Sequence, residues 1–239
     1  MLRIIQHTIQ AYTKNINLVL IFSIPLLIAF LIPLFVQIPT FPAAGSMYLR
    51  TGSLPDLNLY NIGLMLFSYL VSLYLISLAI VNINLIIKSE RTSLNIKKEV
   101  LKRMGTSTLN VFLLYISFTL ILFIIQLLTY RIGMQNILAP ILSLLASLPF
   151  FYAPAALVID DLSPEKAIKS SIQHIKRKWV DFIFFLIIGF ILLSVMTSII
   201  LNFGGTQSLL GVILNSIIIV PFLVVMQTQI YISKYSLLH

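Results

Sequence analysis

Residues 163–203, SPEKAIKSSIQHIKRKWVDFIFFLIIGFILLSVMTSIILNF, join a basic segment of helical periodicity to a run from Phe182 to Phe203 that carries no charge. A helix rises 1.5 Å per residue, so about 20 uncharged apolar residues cross the roughly 30 Å hydrocarbon layer of a bilayer. Five more such windows stand at about Ile16 to Ile38, Leu59 to Ile87, Leu109 to Tyr130, Ile137 to Ile159 and Leu209 to Ser233. These runs are apolar on every face, unlike the ten-residue alternations of a membrane β-barrel. An all-α polytopic membrane protein with six spans is therefore predicted. The composition agrees: 10% of residues are charged, against about a quarter in soluble proteins, and mean hydropathy is +1.03. The first run begins after a mixed segment and lacks a small-residue cleavage site, so it reads as a retained span. With no Cys, disulfides and thiolate metal sites are excluded.

Of the 16 Lys and Arg residues, Arg50 and Arg131 fall on one side of this topology and the rest on the other. Cytoplasmic loops carry the excess of Lys and Arg, which predicts a multi-pass plasma-membrane protein with both termini cytoplasmic.

The basic segments read as cytoplasmic amphipathic helices lying in the interface. Ile5, Ile9, Tyr12 and Ile16 recur at helical spacing, and Ile168, Ile172, Ile175 and Trp179 repeat them 163 positions later. A looser copy places Ile96, Val100, Leu101 and Met104 opposite Lys97, Lys98, Lys102 and Arg103. A second register, shifted by 72, carries Gly133 onto Gly205 and Pro149-Phe150 onto Pro221-Phe222. The single membrane domain, 1–239, thus divides into pseudo-repeat units 1–87, 88–159 and 160–239, each an interfacial helix followed by a transmembrane hairpin. Ser163 is placed to cap the third surface helix, with Pro164 at its first position and Glu165 complementing its positive end. Thr92 or Ser93 could cap the second. The hairpin turns near Arg131 to Asn136 and Gly204 to Ser208 are short, whereas Pro39 to Asn58 forms a longer loop where specificity or a simple lid could reside.

None of the seven Asp and Glu residues falls deep in a span, which argues against a proton-coupled pump. The span amides include Asn82, Asn84, Gln227 and Gln229; they serve either as helix-to-helix hydrogen bonds or as a polar site within the membrane. Pro25, Pro33, Pro149, Pro154 and Pro221 are expected to kink spans one, four and six, through packing or to line a pathway. His7, His174 and His239 are isolated in sequence, no carboxylate pair suggests a metal site, and no Gly-rich phosphate loop precedes a helix. No enzyme activity, metal or cofactor is predicted. Lys97, Lys98, Lys102 and Arg103, with Lys169, Lys176, Arg177 and Lys178, form two basic clusters suited to anionic headgroups or a partner, although topology alone would also place charge there. Nucleic acid is not expected as a partner; a protein partner or homo-oligomer is compatible.

The stretch FYAPAALVIDDLSPEKAIKSS, residues 151–171, runs from an apolar span through a short acidic turn into an Ala-rich basic helix, and Trp179 then opens the next span. This arrangement resembles a group of six-span proteins that includes the membrane domain of some glycerophosphodiester phosphodiesterases and uncharacterised stand-alone bacterial and archaeal relatives; residues 41–53, FPAAGSMYLRTGS, most resemble archaeal members. The resemblance implies a six-helix membrane fold and no agreed activity, since the phosphodiesterase domain and its catalytic residues are missing. The reading is a non-enzymatic membrane protein with an organising or accessory role. The alternative is a transporter or lipid-handling carrier with a pathway between the hairpins.

Overall fold

The computed structural model describes residues 2–36, 58–92, 96–201 and 207–235. They form α1 (Leu2–Lys14), α2 (Ile16–Val36), α3 (Leu59–Thr92), α4 (Ile96–Arg131), α5 (Gln135–Phe151), α6 (Ala153–Ile159), α7 (Pro164–Arg177), α8 (Trp179–Leu201), α9 (Gln207–Leu214) and α10 (Val220–Ile232). There is no strand among the described residues. Six helical segments are long and apolar enough to cross a membrane: Ile16–Pro33, Leu59–Glu90, Arg103–Arg131, Gln135–Ile159, Trp179–Met196 and Leu209–Tyr235. The loop from Pro39 to residue 57, the cap position Ser93 and the turn at 204–206 lie outside the described residues.

The lower part of α3 is the central post. Val81, Ile83, Leu85, Ile86 and Ile87 are fully buried and Asn82 and Asn84 nearly so, which means this stretch is enclosed on every face. Helices α2, α4, α6 and α10 surround it. Small residues permit that approach, with Ala153, Ala155 and Ala156 of α6 buried in the same core as Val81 and Leu85. Away from this end the spans open outward, and Ile124, Ile187 and Phe190 are among many large apolar side chains left exposed. A lipid-facing surface has that composition, because lipid solvates apolar side chains as well as a protein core does.

The three basic segments behave differently. Helix α1 breaks from α2 at Asn15, and α7 breaks from α8 at Lys178. The middle segment and its span instead form one unbroken helix, Ile96–Arg131. No proline interrupts it, and the helix continues through Gly105.

The prolines also have three outcomes. α2 continues through Pro25 and Pro33. The fourth span breaks at Tyr152, between Pro149 and Pro154. The sixth widens into a π-helical stretch, Asn215–Ile219, just before Pro221, whose missing N–H and ring cannot continue a regular turn. The turn from α4 to α5 is short, as its sequence predicts. Gly133 adopts φ +74°, its N–H bonds the Tyr130 carbonyl at 2.9 Å, and the Met134 N–H bonds that of Thr129 at 3.1 Å, forming a Schellman stop.

Candidate functional site

The break in the fourth span is completed by side chains from elsewhere. In a regular helix the Tyr152 N–H would bond the Leu148 carbonyl. Here the buried Ser171 hydroxyl of α7 intervenes, accepting from Tyr152 N at 3.0 Å and donating to Leu148 O at 3.4 Å. The Phe151 carbonyl, also released by the break, accepts from Gln227 Nε2 of α10 at 2.6 Å. Three backbone groups at the break thus gain side-chain partners where water is scarce.

The acidic turn beyond α6 connects two sets of helices. Asp160 accepts from Tyr231 at 2.6 Å, Lys234 Nζ at 2.5 Å and Tyr235 at 2.5 Å. Asp161, at φ +53°, pairs with Lys88 of α3 at 2.9 Å and with Arg103 of α4. Asp is among the residues that tolerate this left-handed conformation. Burial alone would raise the Asp161 pKa, but the hydrogen bonds from Arg103 and Lys88 hold it below the ordinary carboxylate value. Lys88 also donates to the Val158 carbonyl at 2.8 Å, a cation at the end of α6. Beside this hub, Glu90 receives Lys14 at 2.9 Å and Asn15 at 3.0 Å.

Helix α7 lies against the hub with Ala167, Ser171 and His174 inward. α1 turns the equivalent face inward, burying Thr8, Ala11 and Asn15, and it packs on α10 with Tyr12 edge-on to Phe222 at 5.7 Å. The apolar stripes are mixed in placement: Tyr12, Ile168 and Ile175 pack partly against the core, whereas Ile9 is 47% exposed and Trp179 59%. Ser163 occupies the predicted cap position of α7 with extended backbone but makes no side-chain capping bond. Its carbonyl accepts the Ala167 N–H at 2.9 Å instead, and Pro164 has no amide to cap.

An open pocket of about 290 Å³ lies where α7 ends, lined by Ser170, Gln173, His174, Arg177, Lys178 and Lys234. His174 is 5% exposed, packed between the rings of Tyr152 at 4.7 Å and Tyr231 at 5.2 Å. Its Nε2 has no hydrogen-bond partner among the described residues. Burial first, then Lys234 and Lys178, push its pKa down to about 4, so the ring is neutral at pH 7. Lys234 is held by Asp160 and lies 3.8 Å from the Tyr231 ring centre. Ser170 shares a 2.8 Å hydrogen bond with Tyr231, and Lys178 stands 3.9 Å from Asp181. Arg177 is exposed and makes no ion pair among the described residues.

Of the basic residues singled out by sequence, Arg177 and Lys178 line this pocket, Lys169 and Lys176 lie exposed on α7, and Arg103 is engaged by Asp161. The side chains of Lys97, Lys98 and Lys102 lie outside the described residues. The four span amides do not share one role. Asn84 accepts from Thr228, binding α3 to α10. Gln227 completes the break at Phe151, Gln229 is buried, and Asn82 is buried with its Oδ1 unpartnered among the described residues. Sequence reading missed His174, Ser170 and Gln173 as pocket residues, although their spacing with Arg177 puts them along one side of α7. Lys234 joins them through tertiary contact. Among the described residues no group of three His, Asp or Glu side chains is placed to hold a metal ion.

No protein-family model matches the chain, and neither a curated protein nor a solved structure matches it.

Proposed function

We propose that this chain is a non-enzymatic, multi-pass plasma-membrane protein with an organising or accessory role, whose basic end engages anionic lipid headgroups. Both termini would be cytoplasmic, with three hairpins and α1 and α7 lying in the interface. The observation that carries the reading is the two-sidedness of α7. Ala167, Ser171 and His174 seal it onto the core, while Lys166, Lys169, Lys176 and Arg177 remain exposed beside the exposed Trp179, the kind of ring that populates membrane interfaces. Lys and Arg near an anionic surface contribute about 1 kcal/mol each. Asn84 and Gln227 are engaged in joining helices, which favours this role over the carrier alternative with its pathway between hairpins. The reading rests on these residues and not on the family resemblance.

The test is the thermal stability of the purified full chain in nanodiscs of phosphatidylcholine alone or with added phosphatidylglycerol. The parent should be stabilised by the anionic lipid, and Lys166, Lys169, Lys176 and Arg177 changed together to Gln should lose most of that gain. Equal stability of the parent in both lipids would overturn the reading, while a protein partner that binds the parent with no such lipid preference would replace lipid with protein as the ligand.

A further inference from the structure

We infer that the pocket between the end of α7 and the end of α10 is a selective site for a phosphate-type anion, gripped by Arg177, Lys178 and Lys234. This deepens, and rests on, the reading of the basic end as an anionic-lipid surface: it assigns the binding to one built cavity and not to the basic face as a whole.

Three features set this cavity apart from the surrounding charge. First, its cations converge from two elements, Arg177 and Lys178 from the last turn of α7 and its cap, Lys234 from beyond α10. Second, two of them are positioned before any ligand arrives. Lys234 is fixed by Asp160 at 2.5 Å and by the Tyr231 ring, and Lys178 is drawn toward Asp181. Arg177 has no competing carboxylate among the described residues, and its planar fork suits two phosphate oxygens. Prior ordering lowers the entropic cost of binding. Third, the wall includes the nine-tenths-buried His174, whose Nε2 has no partner among the described residues. With the imidazole neutral and bonded to the Ile230 backbone, that nitrogen is an acceptor. A ligand O–H, or a water carried in with it, would complete it. Ser170 and the Gln173 amide add neutral hydrogen-bonding groups to the lining.

The charges facing the cavity are mixed but favour an anion: Arg177, Lys178 and Lys234 line it, while Asp160 and Asp181 stand behind as partners of the two lysines. A volume of about 290 Å³ is at the small end for ligand pockets and suits a headgroup-sized anion. The same chemistry would accept a lipid phosphate at the interface or a soluble phosphate.

The experiment uses the full chain with Arg177→Gln, with Gln173→Glu, which puts a carboxylate on the exposed side of the cavity, and with Lys166→Gln, which removes one charge from α7 away from it. Thermal stability is followed in one arm during titration of inorganic phosphate against chloride at equal ionic strength in phosphatidylcholine nanodiscs. The other arm titrates phosphatidylglycerol content. In whichever arm stabilises the parent, Arg177→Gln and Gln173→Glu should raise the midpoint by about tenfold or more, while Lys166→Gln should shift it less than about twofold. A response to inorganic phosphate identifies a soluble anion as sufficient; a response confined to phosphatidylglycerol identifies the lipid. If Arg177→Gln and Lys166→Gln weaken the response equally, the cavity proposal is overturned while the lipid-surface reading stands. If neither phosphate nor phosphatidylglycerol stabilises the parent, both fall.

Discussion

Ser171 interrupts the backbone ladder between Tyr152 and Leu148, replacing one helical hydrogen bond with two of its own. A side chain on α7 therefore determines how a span ends, and helix α7 is structural on one face while exposed on the other. Ser171→Ala would leave the buried Tyr152 N–H with only the Phe150 carbonyl as acceptor and would remove the hydroxyl that donates to the Leu148 carbonyl. The expected loss is about 1–3 kcal/mol, read by equilibrium unfolding in detergent. A change under about 0.5 kcal/mol would show that the break needs no such support.

The ion pair between Lys88 and Asp161 joins α3 to the acidic turn, with Lys88 largely buried and Asp161 half exposed. A double-mutant cycle with Lys88→Met and Asp161→Asn should give a coupling of about 1 kcal/mol, limited by solvent screening of the carboxylate. Each single change should cost more than the coupling, because Lys88→Met also strips the Val158 carbonyl of its donor and Asp161→Asn also releases Arg103. Simple additivity of the two changes would remove this pair from the forces holding the turn.

His174 sets a pH window. Its folded pKa of about 4 lies below the ordinary 6.5, so between those values the unfolded chain binds more protons and stability rises with pH. Acidification from pH 6.5 to 4 should therefore destabilise the protein, by no more than about 3 kcal/mol at 1.36 kcal/mol per pKa unit. Asp161 acts in the same direction but below pH 4, since its pKa is depressed from an already lower value. His174→Gln should flatten the melting-temperature profile above pH 4.5. An unchanged slope in that variant would assign the dependence elsewhere.

Gly133 is left-handed, and a Cβ built on it meets nothing within 4 Å, so any cost of substitution is conformational and not steric. Gly133→Ala should cost about 1 kcal/mol and Gly133→Asn less, because Asn tolerates this backbone better. Gly63 and Gly105 have equally open surroundings and ordinary helical backbone. Alanine at either should be neutral or stabilise by up to about 1 kcal/mol. Unfolding measurements on the three single variants separate backbone freedom from packing.

The spans were legible because charge-free length is a property of the sequence alone, and the described residues of all six windows fall on helices. Gly133 was equally legible, since a turn residue acts locally. The buried faces of α1 and α7 were not. Periodicity found the stripes of Ile5, Ile9 and Tyr12 and of Ile168, Ile172 and Ile175 and read them as faces of interfacial helices; Tyr12, Ile168 and Ile175 pack partly against the core. Close approach of helix backbones selects the innermost positions, so small residues such as Ala11, Ala167 and Ser171 take the interior. Lys97, Lys98 and Lys102 were found by charge, as was Arg103, but only structure showed Arg103 bound to Asp161. The pocket escaped notice because Lys234 stands 57 positions beyond Arg177 in the chain, and no local pattern announces their meeting.

The adjacent carboxylates of the acidic turn also impose an order on biogenesis. The partners of Asp161 in α3 and α4 precede it in the chain, so that half of the junction can form as soon as the turn leaves the ribosome. The side-chain partners of the Asp160 carboxylate among the described residues are Tyr231, Lys234 and Tyr235, which follow it. A nascent chain that has emerged only as far as the fifth apolar helix consequently carries a half-latched turn, and the other half closes only after the sixth has followed.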